Sequence, residues 1–214
     1  MVAPYKDRAD AGLVLATQLQ ALGFESTPLI LTIPNGGVAV GVPIAGVLKA
    51  DLDIIIVRKL QIPHNPEAGF GAITSLGSVI LNQFLIARIG LTQVQIDSVI
   101  HQTRQQIKRR QQVYASVVKN LSPNRRIVIL IDDGLASGYT MLAAIESVRR
   151  FSPRRIVVAV PTASMEAAAK VKQVVDDFIC PHMPSGFIFA VANAYQHWYD
   201  VPDEEVLHLL NETL

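Results

Sequence analysis

Short, unbroken runs of apolar residues alternate along this chain with longer segments of helical pattern. Buried strands are predicted for five apolar runs, at residues 29–33, 53–57, 127–131, 155–160 and 178–180. Helices are predicted between and around them, at residues 7–22, 38–50, 139–150 and 164–174. Because strand, loop and helix repeat in this order, we expect an α/β fold with a parallel sheet that helices cover on both faces.

Three features depart from this simple alternation. Residues 60–71 hold two prolines and two glycines, so a long loop is predicted there. Residues 72–75 and 79–81 could then pair as a hairpin. In the second helical segment Pro43 predicts that regular helix begins late, near Gly41, or is kinked.

A helical insertion is predicted over about residues 82–119. A short helix ends at Gly90, and Thr92 with Gln95 forms a capping box that opens a long helix over residues 93–118. The basic residues of this helix could contact RNA or a partner, such as a second copy of the chain in a homodimer, or they could form a solvated face. Glutamines dilute the charge and no aromatic residues are interleaved for stacking, so we favour the solvated face and expect no nucleic-acid partner.

Length and composition indicate one well-filled domain over residues 1–214. Half of the residues are hydrophobic, 17% are charged and the net charge is +1, so no bulk field attracts nucleic acid or membrane. The single cysteine, Cys180, excludes an intramolecular disulfide and is interpreted as a small core residue. The first ten residues lack an apolar signal region, and no apolar run reaches the roughly 18 residues of a membrane span. We therefore expect a cytoplasmic protein without a membrane partner.

The chemistry of the sequence concentrates in residues 126–141, RIVILIDDGLASGYTM. An apolar strand ends in Asp132 and Asp133, and a loop of small residues leads into a helix. Backbone N–H groups at a helix start are unpaired and hold phosphate well, and small residues let the backbone approach an anion closely. Ser137 and Thr140 can add hydroxyl donors, while the two carboxylates can accept hydrogen bonds from sugar hydroxyls.

The segment VILIDDGLASGYT resembles the signature with which type I phosphoribosyltransferases bind 5-phosphoribosyl 1-pyrophosphate (PRPP), with Ser137 where threonine is more usual and Tyr139 where a smaller residue is more usual. PNGG, VRKL, NPEAGFGAI and VAVP further resemble a bacterial subgroup of phosphoribosyltransferases of unassigned substrate. The resemblance implies a Rossmann-like parallel sheet with a small hood. It also implies transfer of the phosphoribosyl group of PRPP to a small-molecule nitrogenous base, with release of pyrophosphate and Mg²⁺ as the cofactor.

The resemblance implies a role for each candidate residue. The 5-phosphate of PRPP would be bound by the loop residues Ala136, Ser137, Gly138, Tyr139 and Thr140. Pyrophosphate would be bound by Asn35, Gly36, Gly37, Arg58 and Lys59. The catalytic residues would be Asp132, Asp133, Lys59 and Glu67. Mg²⁺ would be held mainly by PRPP, and its protein contacts would be limited to Asp132 and Asp133.

Further expectations concern the segments around the site. By resemblance, a cis peptide is expected between Pro34 and Asn35, and the loop over residues 60–71 is expected to close over the ribose as a lid. The titratable residues on that loop are His64 and Glu67, for which an ordinary polar role is an equal alternative.

The C-terminal tail, about residues 181–214, is expected to form part of a hood over the acceptor base. It holds a run of aromatic residues, namely Phe187, Phe189, Tyr195, Trp198 and Tyr199. These could stack on a planar base or pack over the sheet edge, and both interpretations remain open. Asp203 is expected to cap the final helix.

One departure from the family pattern limits the acceptor. In phosphoribosyltransferases that salvage 6-oxopurines, the position of Ala136 holds an aspartate that handles a proton on the purine. Alanine cannot do this, so we do not expect hypoxanthine or guanine as the acceptor, whereas adenine, orotate or another base remains open. A regulatory protein of the same fold that binds PRPP or a nucleotide without turnover also remains open, because such proteins often keep the acidic pair.

Overall fold

The strand–loop–helix order of the sequence builds a central parallel sheet and a smaller antiparallel one. The structure is a computed structural model that describes residues 3–63, 65–185 and 189–213, without the side chains of Pro66 and Glu67. Its helices are α1 Arg8–Gln20, α2 Gly36–Leu48, α3 Gln83–Ile89, α4 Gln93–Val113, α5 Tyr139–Arg149, α6 Met165–Lys172 and α7 Asp203–Asn211, with a 3-10 turn at Val191–Ala194. Its strands are β1 Leu29–Thr32, β2 Asp51–Ile54, β3 Val57–Ile62, β4 Asn65–Thr74, β5 Val79–Leu81, β6 Ile127–Ile131, β7 Arg155–Ala159 and β8 Asp177–Ile179.

The central sheet has five strands in the order β2-β1-β6-β7-β8, and every neighbouring pair is parallel. Its middle strand, β6, is buried along its whole length and alternates between two cores. Ile127, Ile129 and Ile131 pack with residues of α1, α2, α4 and α7, whereas Val128 and Leu130 pack with α5 and α6. The predicted α/β fold with helices on both faces is confirmed.

The prediction of a long irregular loop over residues 60–71 is wrong. The second core strand ends at Ile54, and Val57 opens β3, which pairs antiparallel with β4, and β4 in turn pairs with β5. The glycines that suggested a loop serve close strand contact, since a Cβ at Gly71 would lie 2.2 Å from the carbonyl oxygen of Ile80. The turn between β4 and β5 follows the predicted hairpin.

Helix boundaries follow the capping signals where these exist. The capping box of Thr92 and Gln95 opens α4 as predicted, and Gly90 ends α3 in the left-handed conformation. The end predicted for α4 at residue 118 is wrong, because the helix stops before Tyr114. Asp203 does not cap α7 either. It is the first helical residue and its carboxylate is used in tertiary contacts described below.

The second helix begins earlier than predicted. It starts at Gly36 and continues through Pro43, which lies inside it. The helix therefore follows the Pro34–Asn35 bond directly, and this bond is cis, as expected. The ring of Pro43 packs where α1 approaches, because a Cβ at Gly12 would lie 2.5 Å from the Cγ atom of Pro43. Across the described part of the chain, no helix combines the length and hydrophobicity that crossing a bilayer requires.

Candidate active site

The loop between β6 and α5 presents the start of a helix to a cavity. The helix is preceded by Gly138 at φ +80°, and within the described part of the chain no side chain caps its first turn. The segment after β7 forms hydrogen bonds with this loop. The N–H of Leu135 donates to Thr162 O at 2.9 Å, and Ser164 Oγ donates to Ala136 O at 2.7 Å. The backbone N–H groups at this helix start are thus positioned to bind an anion.

The cavity at this helix start has a volume of about 370 Å³. It brings together the following predicted residues: Lys59, Asp132, Ala136, Ser137, Gly138, Tyr139 and Thr140. Gly69 from β4 also lines it, and a Cβ there would lie 2.3 Å from the Cγ atom of Lys59. A glycine at this position therefore leaves room for the lysine stem to cross the hairpin beside the cavity.

The two adjacent aspartates have different surroundings. Asp132 lines the cavity, and its Oδ1 accepts a hydrogen bond from the N–H of Asp133 at 2.9 Å. The carboxylate of Asp133 instead contacts Arg8, whose Nε and Nη2 atoms both lie 2.9 Å from Oδ2. The backbone oxygen of Asp133 accepts a hydrogen bond from the Tyr195 hydroxyl at 2.6 Å. Asp133 thus connects the loop to the N-terminal helix and the C-terminal tail.

Arg8 is enclosed by the aromatic residues of the tail. Its guanidinium carbon lies 4.0 Å from the ring centroid of Trp198 and 5.6 Å from those of Tyr195 and Tyr199. Its Nη1 atom also donates to the backbone oxygen of Tyr199 at 2.9 Å. These three aromatic residues therefore pack around a side chain of α1, and their stacking on a base stays a prediction. Phe187 lies outside the described residues.

Burial sets the protonation tendencies of the acidic pair. It raises the pKa of Asp132 well above the usual range, and the neighbouring Asp133 carboxylate raises it further. Burial also raises the pKa of Asp133, although the positive charge and hydrogen bonds of Arg8 oppose this effect. A cation or hydrogen-bond donor in the cavity would therefore stabilise the ionised form of Asp132.

The PNGG loop packs directly against the acidic pair. A Cβ at Gly36 would lie 1.9 Å from Asp133 Oδ2, and one at Gly37 would lie 3.0 Å from Ile131 O and 3.1 Å from the Cα of Asp132. Neither position can hold a side chain without displacing this contact. The two glycines therefore let the predicted pyrophosphate loop and the predicted sugar-binding carboxylates meet.

Arg58 and Lys59 do not lie together. They were expected at the end of a parallel strand, but they are consecutive residues of the antiparallel strand β3, and such side chains point to opposite faces. Lys59 lines the cavity, whereas the pKa of Arg58 is lowered by burial and by the nearby charge of Arg110. The side chain of Glu67 and the whole of His64 lie outside the described residues.

The carboxylates of this site could hold Mg²⁺ only together with a phosphorylated substrate, which is the mode of binding that the resemblance implies. Mg²⁺ is usually bound by one or two carboxylates together with substrate phosphates and water. Asp132 and Asp133 supply two carboxylates, and among the described residues no group of three or more histidine, cysteine, aspartate or glutamate side chains is placed to hold a metal. A phosphorylated substrate would thus have to supply most of the coordination.

Sequence reasoning missed the residues that support the site from a distance. Arg8 contacts Asp133 across 125 positions, and Arg110, Tyr114 and Asp203 contact Asn35 across 75, 79 and 168 positions. A basic residue in the first turn of a helix is unfavourable for the helix dipole, so the position of Arg8 in α1 was the one local signal available.

Two relatives cover nearly all of this chain. A Mycobacterium tuberculosis protein named "Putative phosphoribosyl transferase Rv0571c" is 32% identical over 207 residues, which are 97% of this chain and 46% of that protein. This chain thus spans about half the length of that relative. The crystal structure of TT1426 from Thermus thermophilus has 34% sequence identity and a TM-score of 0.82, and the match covers 99% of both chains.

A more distant structure shares the fold alone. A hypoxanthine phosphoribosyltransferase from Staphylococcus aureus matches with a TM-score of 0.50 and 10% identity, over 90% of this chain and 82% of that one. The family model described as "Phosphoribosyl transferase domain" matches residues 71–195, which include the acidic pair and the whole loop between β6 and α5. The match covers more than half of the 214 residues, so the chain belongs to the phosphoribosyl transferase domain family.

Proposed function

We propose that this chain transfers the phosphoribosyl group of PRPP to a nitrogenous base and releases pyrophosphate. One observation carries the proposal. The uncapped start of α5, the carboxylate of Asp132 and the lysine Lys59 line one cavity, and the glycines of the PNGG loop pack against the same acidic pair. The start of α5 would bind the 5-phosphate and Asp132 would bind the ribose. Lys59 and the PNGG loop would bind the pyrophosphate group.

The chain's own residues would act mainly by positioning and by charge stabilisation. The N–H groups at the start of α5, with the hydroxyls of Ser137 and Thr140, would hold the 5-phosphate. Asp132 would accept hydrogen bonds from the ribose hydroxyls and stabilise positive charge at the anomeric carbon as pyrophosphate leaves. Lys59 would offset negative charge on the leaving group.

Mg²⁺ would be held by the oxygens of PRPP with Asp132, and it would supply neutralisation of the pyrophosphate charge. The acceptor would be a base other than a 6-oxopurine, because Ala136 offers no titratable side chain where those enzymes use an aspartate. The methyl group of Ala136 is exposed, and the carbonyl oxygen of Ala136 accepts a hydrogen bond from the hydroxyl of Ser164.

The test is a calorimetric titration of PRPP with Mg²⁺ into the wild type, Asp132→Asn and a control variant, Asp51→Asn. Asp51 lies at the opposite, N-terminal end of its strand and its side chain is half exposed. We expect Asp132→Asn to weaken binding about ten- to hundredfold, the range for losing hydrogen bonds to a charged group, and Asp51→Asn to leave it unchanged.

A screen of candidate bases for pyrophosphate release would follow. Release with one base and none with hypoxanthine or guanine is the expected result. A wild type that does not bind PRPP would overturn the proposal. Binding without release in the presence of any base would also overturn it, in favour of a protein that binds PRPP as a regulator.

A further inference from the structure

The end of the long helix α4 reaches the predicted pyrophosphate loop. Arg110 lies in its last turn, and the completely buried Tyr114 follows the helix. The Arg110 guanidinium spans the carboxylate of Asp203, with Nη2 2.7 Å from Oδ1 and Nη1 3.2 Å from Oδ2. The Tyr114 hydroxyl lies 2.8 Å from Asp203 Oδ1 and 2.9 Å from Arg110 Nη2. We call Arg110, Tyr114 and Asp203 the Asn35 clamp, for the contacts described next.

The clamp and the backbone of Val201 together hold the side chain of Asn35. The Nδ2 group donates to Val201 O at 2.7 Å and to Asp203 Oδ1 at 2.9 Å. The Oδ1 atom accepts from Arg110 Nη2 and lies 3.0 Å from the Tyr114 hydroxyl. An amide has two N–H donors and two acceptor positions. Both donors are engaged within the protein, and Oδ1 accepts from Arg110 and competes with Asp203 Oδ1 for the single hydroxyl proton of Tyr114. The residue is therefore held by its side chain, and its carbonyl oxygen accepts from the N–H of Val38 at 3.0 Å. Its backbone N–H is the group through which it could bind a ligand.

The charged groups around Asn35 also bring positive charge near the loop. Burial opposes ionisation of Asp203, but hydrogen bonds from Asn35 and Tyr114 and the charge of Arg110 outweigh it and lower its pKa. Arg58 brings a second guanidinium near this group, since the charges of Arg110 and Asp203 both influence its pKa. Two guanidinium groups and one carboxylate therefore give this region a net charge of +1.

We propose that the Asn35 clamp positions the PNGG loop for pyrophosphate, so that Arg110 and Tyr114 of the helical insertion are positioning residues for the leaving group. This inference rests on the proposed function. It assigns to Arg110 a role that packing against the sheet does not require, because the buried residues within α4 are Ile96, Thr103 and Ile107. The ring of Tyr114 belongs to the same core, so its proposed role belongs to its hydroxyl. The expected consequence is a defect specific to one end of PRPP.

The experiment compares two ligands that report on the two ends of the substrate. Pyrophosphate with Mg²⁺ would bind at the PNGG loop, and ribose 5-phosphate would bind at the phosphate loop. Each is titrated calorimetrically into the wild type, Arg110→Gln, Arg110→Lys, Tyr114→Phe and Arg109→Gln. Arg109→Gln is the matched control, because it removes the same charge from an exposed neighbouring position of α4.

We expect Arg110→Gln and Tyr114→Phe each to weaken pyrophosphate binding about tenfold, the effect of losing a hydrogen bond to a charged group. Ribose 5-phosphate binding and the Arg109→Gln control should stay within about twofold of the wild type. Arg110→Lys should recover only part of the loss, because an ammonium keeps the charge but cannot span both oxygens of a carboxylate.

Two results would overturn the inference while the proposed function stands. The first is that the clamp variants bind pyrophosphate as the wild type does. The second is that they lose affinity for pyrophosphate and ribose 5-phosphate equally, which would indicate a general structural defect. A thermal unfolding curve for each variant would show whether it is folded. A wild type that binds neither ligand would overturn the proposed function itself.

Discussion

Replacing Arg8 by methionine tests whether the acidic pair depends on a buried positive charge. Arg8 is 5% exposed, and two of its nitrogens lie 2.9 Å from one oxygen of Asp133. Methionine keeps much of the aliphatic volume but removes the charge. Breaking a buried pair leaves the other charge uncompensated, so we expect a loss of about 3–5 kcal/mol in the free energy of unfolding. Loss of the stack on Trp198 would add up to about 1 kcal/mol.

Arg126→Met provides the matched control. Arg126 also pairs with an aspartate, Asp51, but the two side chains are 25% and 51% exposed, and an exposed pair contributes at most about 1 kcal/mol. The double variant Arg8→Met/Asp133→Asn provides the second comparison. Because it removes both charges, it should be less destabilised than the sum of its two single variants.

The assay is equilibrium unfolding in urea followed by circular dichroism and by fluorescence. Trp198 is the one tryptophan of the chain and stacks on Arg8, so its fluorescence reports on this cluster while circular dichroism reports on the whole fold. Coincident transitions would justify a two-state treatment. The reasoning is refuted if Arg8→Met costs no more than Arg126→Met, or if the double variant is as unstable as the sum of the single ones.

Three further outcomes are expected. Gly138→Ala should cost about 1–2 kcal/mol of stability and weaken PRPP binding, because Gly138 has φ +80°, whereas Gly46→Ala, in open space on α2, should stabilise by about 1 kcal/mol. Lys59→Met should weaken PRPP binding about tenfold, and Gly69→Ala should do the same because its methyl group would displace the lysine stem. Burial raises the pKa of the Cys180 thiol to about 12, so iodoacetamide at pH 8 should modify the folded protein at least about a hundredfold more slowly than the urea-unfolded protein.

Each of these has a clear contrary result. Equal stability changes in Gly138→Ala and Gly46→Ala would show that the backbone conformation at the phosphate loop is not the limiting factor. Full PRPP affinity in a folded Gly69→Ala variant would show that the position of the Lys59 side chain beside Gly69 is not required for PRPP binding. Equal labelling rates for folded and unfolded protein would show that the thiolate of Cys180 is readily formed.

The fold was predictable wherever the apolar pattern was continuous. The middle strands β1 and β6 follow from unbroken apolar runs, because a strand that is buried on both faces carries apolar side chains at successive positions. The edge strand β2 contains two aspartates, and it lies at residues 51–54 where residues 53–57 were predicted. The β3–β4 hairpin was not predictable in the same way. Its glycines and prolines have the composition of a loop, and only the partner strand shows that Gly71 is needed for close contact with Ile80.

The candidate site was predictable where one continuous stretch carries it. The strand, the acidic pair and the small-residue loop lie within residues 126–141, so their order along the chain fixes their order in space. The surroundings of Asn35 depend instead on α4 and α7, which fold back from far along the sequence. No local pattern marks Arg110 or Tyr114, because long-range partners are set by how the helices pack on the sheet.

The two aspartates of the signature have different surroundings. Both follow the last residue of β6, Ile131, but their carboxylates have different contacts. Asp132 lines the cavity, and Asp133 binds Arg8, which the C-terminal aromatic residues enclose. The second aspartate therefore ties the loop after β6 to the N-terminal helix and to the C-terminal tail, so we expect a change in that tail to reach the cavity through Arg8.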